Sequence, residues 1–314
     1  MQKITKLIRC DGEFKDFLSC AGAAYSADEC LPIAVNGLSG GAESAFLAEA
    51  VREAVGISHS PVLVLVESEA ERSRVTDLLR LADVNAVGYK RRELVFHNIR
   101  ASHDVDRERL SVLSLVLSGR VDAVVSTPSA AAGLTIPADL LEKRQISLAV
   151  GDVIAPEELA ERLVNMGFAH VDCVESTGQF SRRGGIVDFF GGESSSPVRM
   201  EFFGDEIDRM SYFDPITQRA ISACPSVMLL PAAEVTVDKA ARERMLSSCN
   251  RLLKSVSDEN ARAKLGREKA VLESDATVDF RDKYLPLIYE REESLLSYFA
   301  KGGRYISITL GTNN

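Results

Sequence analysis

Residues 178–213 are the segment that most restricts how this chain can fold. Strand-length stretches rich in Phe, Val, Ile and Met are separated there by clusters of Gly, Ser, Pro and Asp. Such clusters favour tight turns, because Gly adopts positive φ angles without a steric clash, and apolar stretches between turns are typical of β-hairpins. Gly184–Gly185 and Gly204 lie at predicted turns. The segment therefore predicts a small twisted antiparallel sheet.

The third apolar stretch, residues 198–203, predicts a strand with two unlike faces. Successive side chains of a strand point to opposite sides of the sheet. One face is apolar and holds Val198, Met200 and Phe202. The other face holds Arg199, Glu201 and Phe203. Arginine and aromatic side chains anchor protein interfaces, because both bury large areas and arginine also directs hydrogen bonds, so we expect this second face to bind a partner.

Two neighbouring arginines, Arg182 and Arg183, are expected to extend that face. The alternative is an ordinary protein surface, in which Phe203 packs beneath a helix and the arginines form ion pairs with nearby carboxylates. The nearby carboxylates in the sequence are those of Asp188, Glu201 and Asp205. The residue pattern alone leaves both hypotheses open.

A second motif begins with a predicted strand at Leu31–Val35. A glycine-rich stretch, residues 36–44, leads from it into a predicted helix that ends at Gly56. A strand, a glycine loop and a helix in this order form the context of the phosphate-binding loop G-x-x-x-x-G-K-S/T. In that loop, backbone N–H groups and the amino end of the helix hold the phosphates, and the lysine reaches the outer ones.

The phosphate-binding motif is degenerate in this chain. Gly37 fits its first glycine and Ser44 its magnesium ligand, but Ala42 replaces the second glycine. Glu43 replaces the lysine. A carboxylate at that position repels a terminal phosphate by a few kcal/mol, whereas lysine would attract it by a similar amount. We therefore expect the shape of a P-loop without nucleotide turnover, and no cofactor.

No catalytic or metal-binding group is predicted elsewhere in the chain. The histidines are isolated from partners of catalytic type; they are His59, His97, His103 and His170. The 6 cysteines show no C-x-x-C spacing, so free buried thiols are expected and a zinc site is not.

Composition and charge narrow the classes of function. A chain of 314 residues, 46% of them hydrophobic, is long enough for two or three units with sizeable cores. Its formal net charge of -9 repels phosphate backbones, which argues against direct DNA binding. No apolar run approaches the roughly 18 residues of a membrane span, and no signal peptide is evident, so a cytoplasmic location without membrane contact is expected.

Residues 61–126 alternate between apolar strand-like runs and helical patterns. Strands are predicted at Pro61–Val66, Ala86–Tyr89 and Val121–Ser126. One predicted helix opens at the capping box Ser68-x-x-Glu71 and carries Val75, Leu78, Leu79 and Leu81, and another spans Asp104–Ser118. Strands and helices in alternation predict an α/β fold, with helices on both faces of a parallel sheet.

The pattern changes near residue 140, where a strand at Ile146–Val150 is followed by a helix that opens at Pro156 and buries Leu159, Leu163 and Val164. We expect a smaller α+β domain here, inserted into the parallel α/β domain and containing the twisted antiparallel sheet. The predicted domains are residues 1–139 with the degenerate P-loop, 140–225 as the inserted domain, and 226–314, which packs back on the first. The third holds predicted helices at 238–256, 259–272 and 283–300 and a last strand at Tyr305–Leu310, whose position suggests a fragment of a longer polypeptide.

Between Pro156 and Glu234 the chain carries a series of motifs, which are Gly178-Gln179-Phe180, Arg183-Gly184, Ile186–Phe190, Arg199–Asp208, Phe213-Asp214, Gln218-Arg219 and Leu230-Pro231-Ala232-x-Glu234. With these motifs, the segment strongly resembles the module shared by the excision-repair helicase UvrB and the bacterial transcription-repair coupling factor (Mfd). The segments Arg92–Ile99 and Asp106–Gly119 also look like the first domain of the coupling factor. Glu43 in place of the lysine, and the lack of a Tyr-rich hairpin, favour the coupling factor over UvrB.

This resemblance implies the N-terminal UvrB-like module of the coupling factor, composed of domains 1a, 2 and 1b and acting as a docking module without catalysis. Its implied partner is UvrA, recruited to RNA polymerase stalled at DNA lesions, with contacts that match Arg183, Arg199 and Phe203. The same face is implied to bind the parent protein's own C-terminal domain in an autoinhibited state.

RNA polymerase and DNA are implied to bind only through domains absent here, in a parent protein that is an ATP-dependent DNA translocase. The alternative function is a UvrB-like ATPase fragment for damage verification, which predicts binding of ATP with magnesium that depends on Ser44.

Overall fold

The computed structural model describes residues 8–27, 33–38, 41–92, 103–237, 239–274, 278, 284–289 and 291–311. The chain divides into two compact units. Unit 1 comprises Met1–Arg91, Val112–Gly133 and Ser294–Asn314. Unit 2 comprises Arg92–Ser111 and Leu134–Glu293. The boundaries of the three domains expected from the sequence stay a prediction.

The described helices are, in chain order, α1 (Gly12–Ser26), α2 (Gly41–Ser58), α3 (Glu69–Leu81), α4 (His103–Leu117), α5 (Pro128–Ala131), α6 (Ala138–Arg144), α7 (Pro156–Asn165), α8 (Lys239–Ser255), α9 (Glu259–Glu273), α10 (Leu285–Ile288) and α11 (Leu295–Lys301). The described strands are β1 (Val62–Leu65), β2 (Ala86–Tyr89), β3 (Ala123–Ser126), β4 (Leu134–Thr135), β5 (Ile146–Ala149), β6 (Ala169–His170), β7 (Gln179–Arg183), β8 (Ile186–Phe189), β9 (Val198–Phe203), β10 (Glu206–Phe213), β11 (Ala220–Ala223), β12 (Ser226–Leu229), β13 (Glu293–Ser294) and β14 (Ser307–Thr309).

Unit 1 is built around a parallel 4-stranded sheet with the strand order β14, β1, β3, β2. The two central strands are apolar apart from Ser126, as expected where helices cover both faces of a sheet. Leu63 of β1 lies opposite Val124 of β3 on one side and Ser307 of β14 on the other. The predicted parallel α/β sheet is therefore confirmed, and the predicted last strand is its edge.

Helix α3 begins as the capping box predicts. The Ser68 hydroxyl accepts a hydrogen bond from the Glu71 backbone N–H at 3.2 Å, which satisfies one of the free donors of the first turn. Val75 and Leu79 are buried on its inner side. Leu81, the last residue of the helix, is exposed.

The region before α2 differs from the prediction. Residues 33–35 form no strand, and Ile33 and Val35 are exposed, because no strand pairs with this segment among the described residues. Residues 31–32 lie outside the described part of the chain. Helix α2 runs through the predicted end at Gly56 to Ser58, since one glycine inside a helix costs only about 1 kcal/mol.

Unit 2 is organised around a 6-stranded sheet with the order β11, β10, β9, β8, β7, β6. All of its strand pairs are antiparallel except β6 with β7. The four predicted strands of residues 178–213 are β7 to β10. Leu159 and Leu163 of α7 pack into one core with Val198 and Met200 of β9. The prediction of an antiparallel sheet within an α+β part of the chain is confirmed.

Two further helical predictions need correction. Val164 of α7 is exposed rather than buried with Leu159 and Leu163. The helix predicted at residues 283–300 is replaced by separate short elements, α10, β13 and α11. The break lies after α10, where Tyr289 adopts an extended backbone and its hydroxyl donates a hydrogen bond of 2.6 Å to the Glu234 carbonyl.

The cysteines that the structure describes are all free thiols. Cys224 and Cys249 are buried, as predicted. Cys10 and Cys20 are exposed, so the prediction of buried thiols is wrong for these two, and Cys30 lies outside the described residues. None of the described helices combines the length and the apolar character needed to cross a lipid bilayer.

Candidate partner-binding surface

The central sheet of unit 2 has the two faces that strand alternation predicts. Val198 and Met200 of β9 are completely buried on one side. Phe203, at the end of the same strand, is 82% exposed on the other. The next residue, Gly204, turns the chain with a φ angle of 62°. The structure thus places the Phe203 ring on the surface and not beneath a helix.

Arg199 faces the same side as Phe203 but is tied into the fold. It lies directly opposite Asp188 in the ladder between β8 and β9. Its Nε donates to Asp188 Oδ1 and its Nη2 to Asp188 Oδ2, both at 2.8 Å. Asp188 is 1% exposed, so this bidentate pair is shielded from water on the carboxylate side.

The Asp188 carboxylate also receives Arg183. Nη2 of Arg183 donates to Asp188 Oδ2 at 3.0 Å, the same oxygen that Nη2 of Arg199 contacts. One buried carboxylate therefore fixes two of the three residues predicted to contact a partner. Their degrees of exposure differ: the Arg183 side chain is 55% exposed and the Arg199 side chain 21%.

Two residues that the interface prediction did not include hold Arg199 from its other sides. Its guanidinium carbon lies 4.7 Å from the centroid of the Phe213 ring, within the range of a cation–π contact. Its Nη1 donates to the Gln218 carbonyl at 3.3 Å. The hydrogen bonds to Asp188 are the main cause that raises the pKa of Arg199 above its ordinary value.

Gln218 and Phe213 belong to the β10–β11 turn region, which the sequence does not place beside Arg199. Gln218 has a φ angle of 58°, unusual for a residue with a side chain, and its Nε2 donates to the carbonyls of Val174 and Pro215. The signal available in the sequence was the matching of Phe213-Asp214 and Gln218-Arg219 in the family resemblance. That signal marks the residues without assigning them a role.

Each of the two hypotheses for this face describes part of it. The arginines pair with Asp188, as the ordinary-surface hypothesis expected, and the aromatic ring is exposed, as the interface hypothesis expected. Arg182 does not extend the face. It forms an ion pair with Glu157 of α7 on the other side of β7, because adjacent residues of a strand alternate.

The degenerate P-loop is described only in part. Gly37 has a φ angle of 85°, and Ala42, Glu43 and Ser44 lie in the first turn of α2. Residues 39–40 between them lie outside the described residues. A helix amino end ordinarily favours an anion, and the Glu43 carboxylate already supplies one there. In the part of the chain that the structure describes, no group of His, Cys, Asp or Glu side chains is placed to hold a metal ion.

A buried ionic cluster lies elsewhere in unit 2, around Glu234. Arg109 donates two hydrogen bonds to its carboxylate, at 2.6 and 2.8 Å, and the Thr135 hydroxyl donates another. Arg92 approaches it to 3.8 Å. Complete burial raises the pKa of Glu234, but the charge and hydrogen bonds of Arg109 outweigh burial and hold that pKa below its ordinary value.

Comparison with known proteins shows which proteins this chain resembles. Residues 146–234 match the UvrB interaction domain. The transcription-repair-coupling factor of Bacillus subtilis (strain 168) is 29% identical over 309 residues, covering 95% of this chain and 26% of that protein. That of Myxococcus xanthus is 37% identical over 142 residues, covering 45% of this chain and 12% of that protein. That of Staphylococcus aureus (strain MRSA252) is 26% identical over 318 residues, covering 96% of this chain and 26% of that protein.

The matches include the whole candidate surface and most of the remaining chain. Arg183, Arg199 and Phe203 all fall inside residues 146–234. The matches to the Bacillus subtilis and Staphylococcus aureus proteins include nearly all of this chain, which spans about a quarter of the length of those relatives. The resemblance found in the sequence is confirmed: this chain is similar over nearly its whole length to transcription-repair-coupling factors and carries their N-terminal UvrB-like module, with a UvrB interaction domain at residues 146–234.

Proposed function

We propose that this chain is a non-catalytic docking module that binds UvrA. The observation that carries the proposal is the exposed Phe203 ring on the same sheet face as the half-exposed Arg183, within the UvrB interaction domain. A large aromatic ring left in water by a well-packed sheet has no evident role in the fold. Aromatic and arginine side chains of this kind are the ones that dominate binding energies at protein interfaces.

The surrounding contacts support a different role for each of Phe203, Arg183 and Arg199. Phe203 offers apolar area, and Arg183 offers a planar cation that is held by one hydrogen bond to Asp188 and stays accessible. Arg199 is held on several sides and mostly covered, so it presents only an edge to a partner. Such fixed side chains lose little conformational entropy on binding, which favours affinity.

The direct test is binding of purified UvrA to the wild-type chain and to Arg183→Ala, Arg199→Ala and Phe203→Ala, measured by calorimetry. We expect the loss for each anchor to be about 1–3 kcal/mol, with Phe203→Ala and Arg183→Ala at the upper end. Ile216→Ala is the matched control, because Ile216 is another exposed apolar residue of unit 2 and follows the end of β10 that is farther from Phe203. Unchanged binding in all three variants rejects the proposal.

In the parent protein we propose that docking recruits UvrA to RNA polymerase stalled at DNA lesions, in transcription-coupled nucleotide excision repair. The names and greater lengths of the relatives support a larger repair factor. Domains outside this chain would bind RNA polymerase and DNA and move along DNA with ATP. The parent's own C-terminal domain would cover the Phe203 face in the resting state. The division at residues 1–139, 140–225 and 226–314 belongs to the same proposal.

The resting-state part of the proposal has its own measurement. A full-length coupling factor is expected to bind UvrA more weakly than this chain does, because its C-terminal domain competes for the Phe203 face. Equal affinities of the two proteins for UvrA would contradict the autoinhibited state and leave the docking site untouched.

A further inference from the structure

We infer that Val153 is a second apolar anchor of the same docking surface, and that the partner places a basic side chain against Glu206, between Val153 and Phe203. The inference rests on the proposed function, because it extends the surface that Phe203 begins. It adds a residue from a loop that strand alternation within β9 could not reveal.

The backbone pairing puts these three residues in one row. Glu206, the first residue of β10, lies opposite Phe203 of β9. On its other side, Glu206 forms an antiparallel bridge with Val153. Residues paired directly across antiparallel strands share a face of the sheet. Val153, Glu206 and Phe203 therefore stand side by side on the outer face, with the carboxylate in the middle.

The segment that carries Val153, residues 151–154, is fixed to β10 by backbone hydrogen bonds. Gly151 N–H donates to the Ile207 carbonyl at 2.8 Å, and Ile207 N–H donates to the Asp152 carbonyl at 2.9 Å. Ile154 N–H donates to the Asp205 carbonyl, also at 2.8 Å. The position of Val153 relative to Phe203 is thus set by the sheet and needs no ordering on binding.

The exposure of Val153 is the second observation. Its side chain is 76% exposed, whereas its neighbour Ile154 is 9% exposed and belongs to the core of unit 2. Phe203 and Val153 therefore form two exposed apolar groups on one rigid surface, separated by a single strand. Scattered apolar residues are ordinary on a protein surface, but a fixed apolar pair beside a candidate interface enlarges that interface.

The charge between the two apolar groups indicates the chemistry of the partner. Glu206 is exposed, and it forms no ion pair among the residues that the structure describes. Asp205, in the turn beside it, is an exposed carboxylate as well, so the tip of the β9–β10 hairpin is negatively charged. A complementary surface on UvrA would offer an apolar contact on each side of a lysine or arginine.

The test is UvrA binding by Val153→Ser and Val153→Thr, with Ile216→Ser as the matched control. Threonine keeps the branched shape of valine and its suitability for an extended backbone, so Val153→Thr isolates the loss of apolar character. Ile216 is 90% exposed but follows the far end of β10, a strand of 8 residues that spans about 25 Å at roughly 3.3 Å per residue.

We expect UvrA affinity to fall about tenfold for Val153→Ser, somewhat less for Val153→Thr, and to stay unchanged for Ile216→Ser. Thermal unfolding should be the same for all of these variants. If Val153→Ser and Val153→Thr bind as wild type while Phe203→Ala is impaired, the inference is overturned and the proposed function stands. If Phe203→Ala and Arg183→Ala also bind as wild type, the proposed function fails instead.

The charged part of the inference is tested separately with Glu206→Gln. Removing this carboxylate should slow association with UvrA and flatten the dependence of the association rate on salt, because attraction between exposed charges is screened by ions. A faster association, or an unchanged rate at every salt concentration, overturns the assignment of a basic partner group to Glu206.

Discussion

Arg199 and Asp188 lie directly opposite each other on β9 and β8 and are joined by two hydrogen bonds of 2.8 Å. Arg183 binds one of the same two carboxylate oxygens. The buried Asp188 thus acts as a common support for a surface whose outer residues contact solvent. We expect both UvrA binding and the free energy of unfolding to depend on Asp188.

Replacing Asp188 by Asn removes the charge that both arginines share. We expect the free energy of unfolding to fall by about 1–3 kcal/mol, because hydrogen bonds between charged groups are lost beside a buried site. We also expect weaker UvrA binding, since the guanidinium groups lose their fixed orientation. Urea unfolding and calorimetry measure the two effects.

A double-mutant cycle tests whether Asp188 affects UvrA binding by orienting the arginines or by stabilising the fold as a whole. If Asp188 acts through the arginines, Asp188→Asn should cost less UvrA affinity in an Arg183→Ala background than in the wild type. Strictly additive losses would show that Asp188 supports the fold and leaves the orientation of Arg183 unaffected.

The two faces of the sheet were predictable because the alternation of side chains along a strand can be read from the sequence of that strand alone. Val198 and Phe203 fall on opposite sides in the structure as they do in the sequence pattern. The residues that hold Arg199 were not predictable in this way. Gln218 reaches Arg199 through a turn with a positive φ angle, and Val153 reaches the row of Phe203 through a bridge between distant segments.

The failed element predictions share a physical cause, which is that tertiary context overrides local preference. The apolar Ile33 and Val35 have the composition of a strand but gain no partner strand among the described residues. Gly56 has the preference of a helix end, yet the helix continues because Leu47 and Val51 on the same helix are buried in the core. Tyr289 interrupts a helical pattern to satisfy the Glu234 carbonyl.

The Glu234 cluster predicts a dependence of stability on pH. The pKa of Glu234 is lower in the folded state than its ordinary value of 4.5, so the ionised carboxylate stabilises the fold above that pH. This contribution is lost as the pH falls below about 4.5 towards the folded-state pKa. Glu234→Gln should lower the free energy of unfolding by about 3–5 kcal/mol at neutral pH, because the buried Arg109 loses the negative charge of the carboxylate that it contacts.

Urea unfolding at neutral pH and at about pH 3 provides the comparison for Glu234. The difference in stability between the wild type and Glu234→Gln should narrow at the lower pH. A constant difference at both pH values would contradict the assigned role of the carboxylate charge.

Gly192 is predicted to resist substitution for a steric reason. Its φ angle is 77°, and an added Cβ atom would overlap the backbone carbonyl oxygen of Met228. Gly192→Ala should lower the free energy of unfolding by about 2–4 kcal/mol, because the strained backbone and the overlap with a fixed carbonyl act together.

A matched glycine serves as the control for Gly192. Gly266 lies inside α9, and nothing stands within 4 Å of the position of its added Cβ. Gly266→Ala should therefore raise the free energy of unfolding by up to about 1 kcal/mol, since alanine favours the helix. Thermal unfolding of both variants checks the contrast, and shifts of the same sign would contradict it.

The degenerate P-loop predicts that the chain does not hydrolyse ATP. A calorimetric titration with ATP and magnesium is expected to give no saturable heat, because the Glu43 carboxylate lies in the helix turn where the motif needs a cation. A saturable signal that disappears in Ser44→Ala would support the alternative function, a UvrB-like ATPase.

The pairing of β14 with β1 has a consequence for how the protein is made. Leu63 and Ser307 are neighbours in the sheet, yet all of unit 2 is translated between them. On the ribosome, β1 has no β14 beside it until the last strand emerges, while unit 2 is already free to form its core. A nascent chain should therefore acquire protease resistance in unit 2 first, and the parallel sheet should close only after residue 309 has left the ribosome.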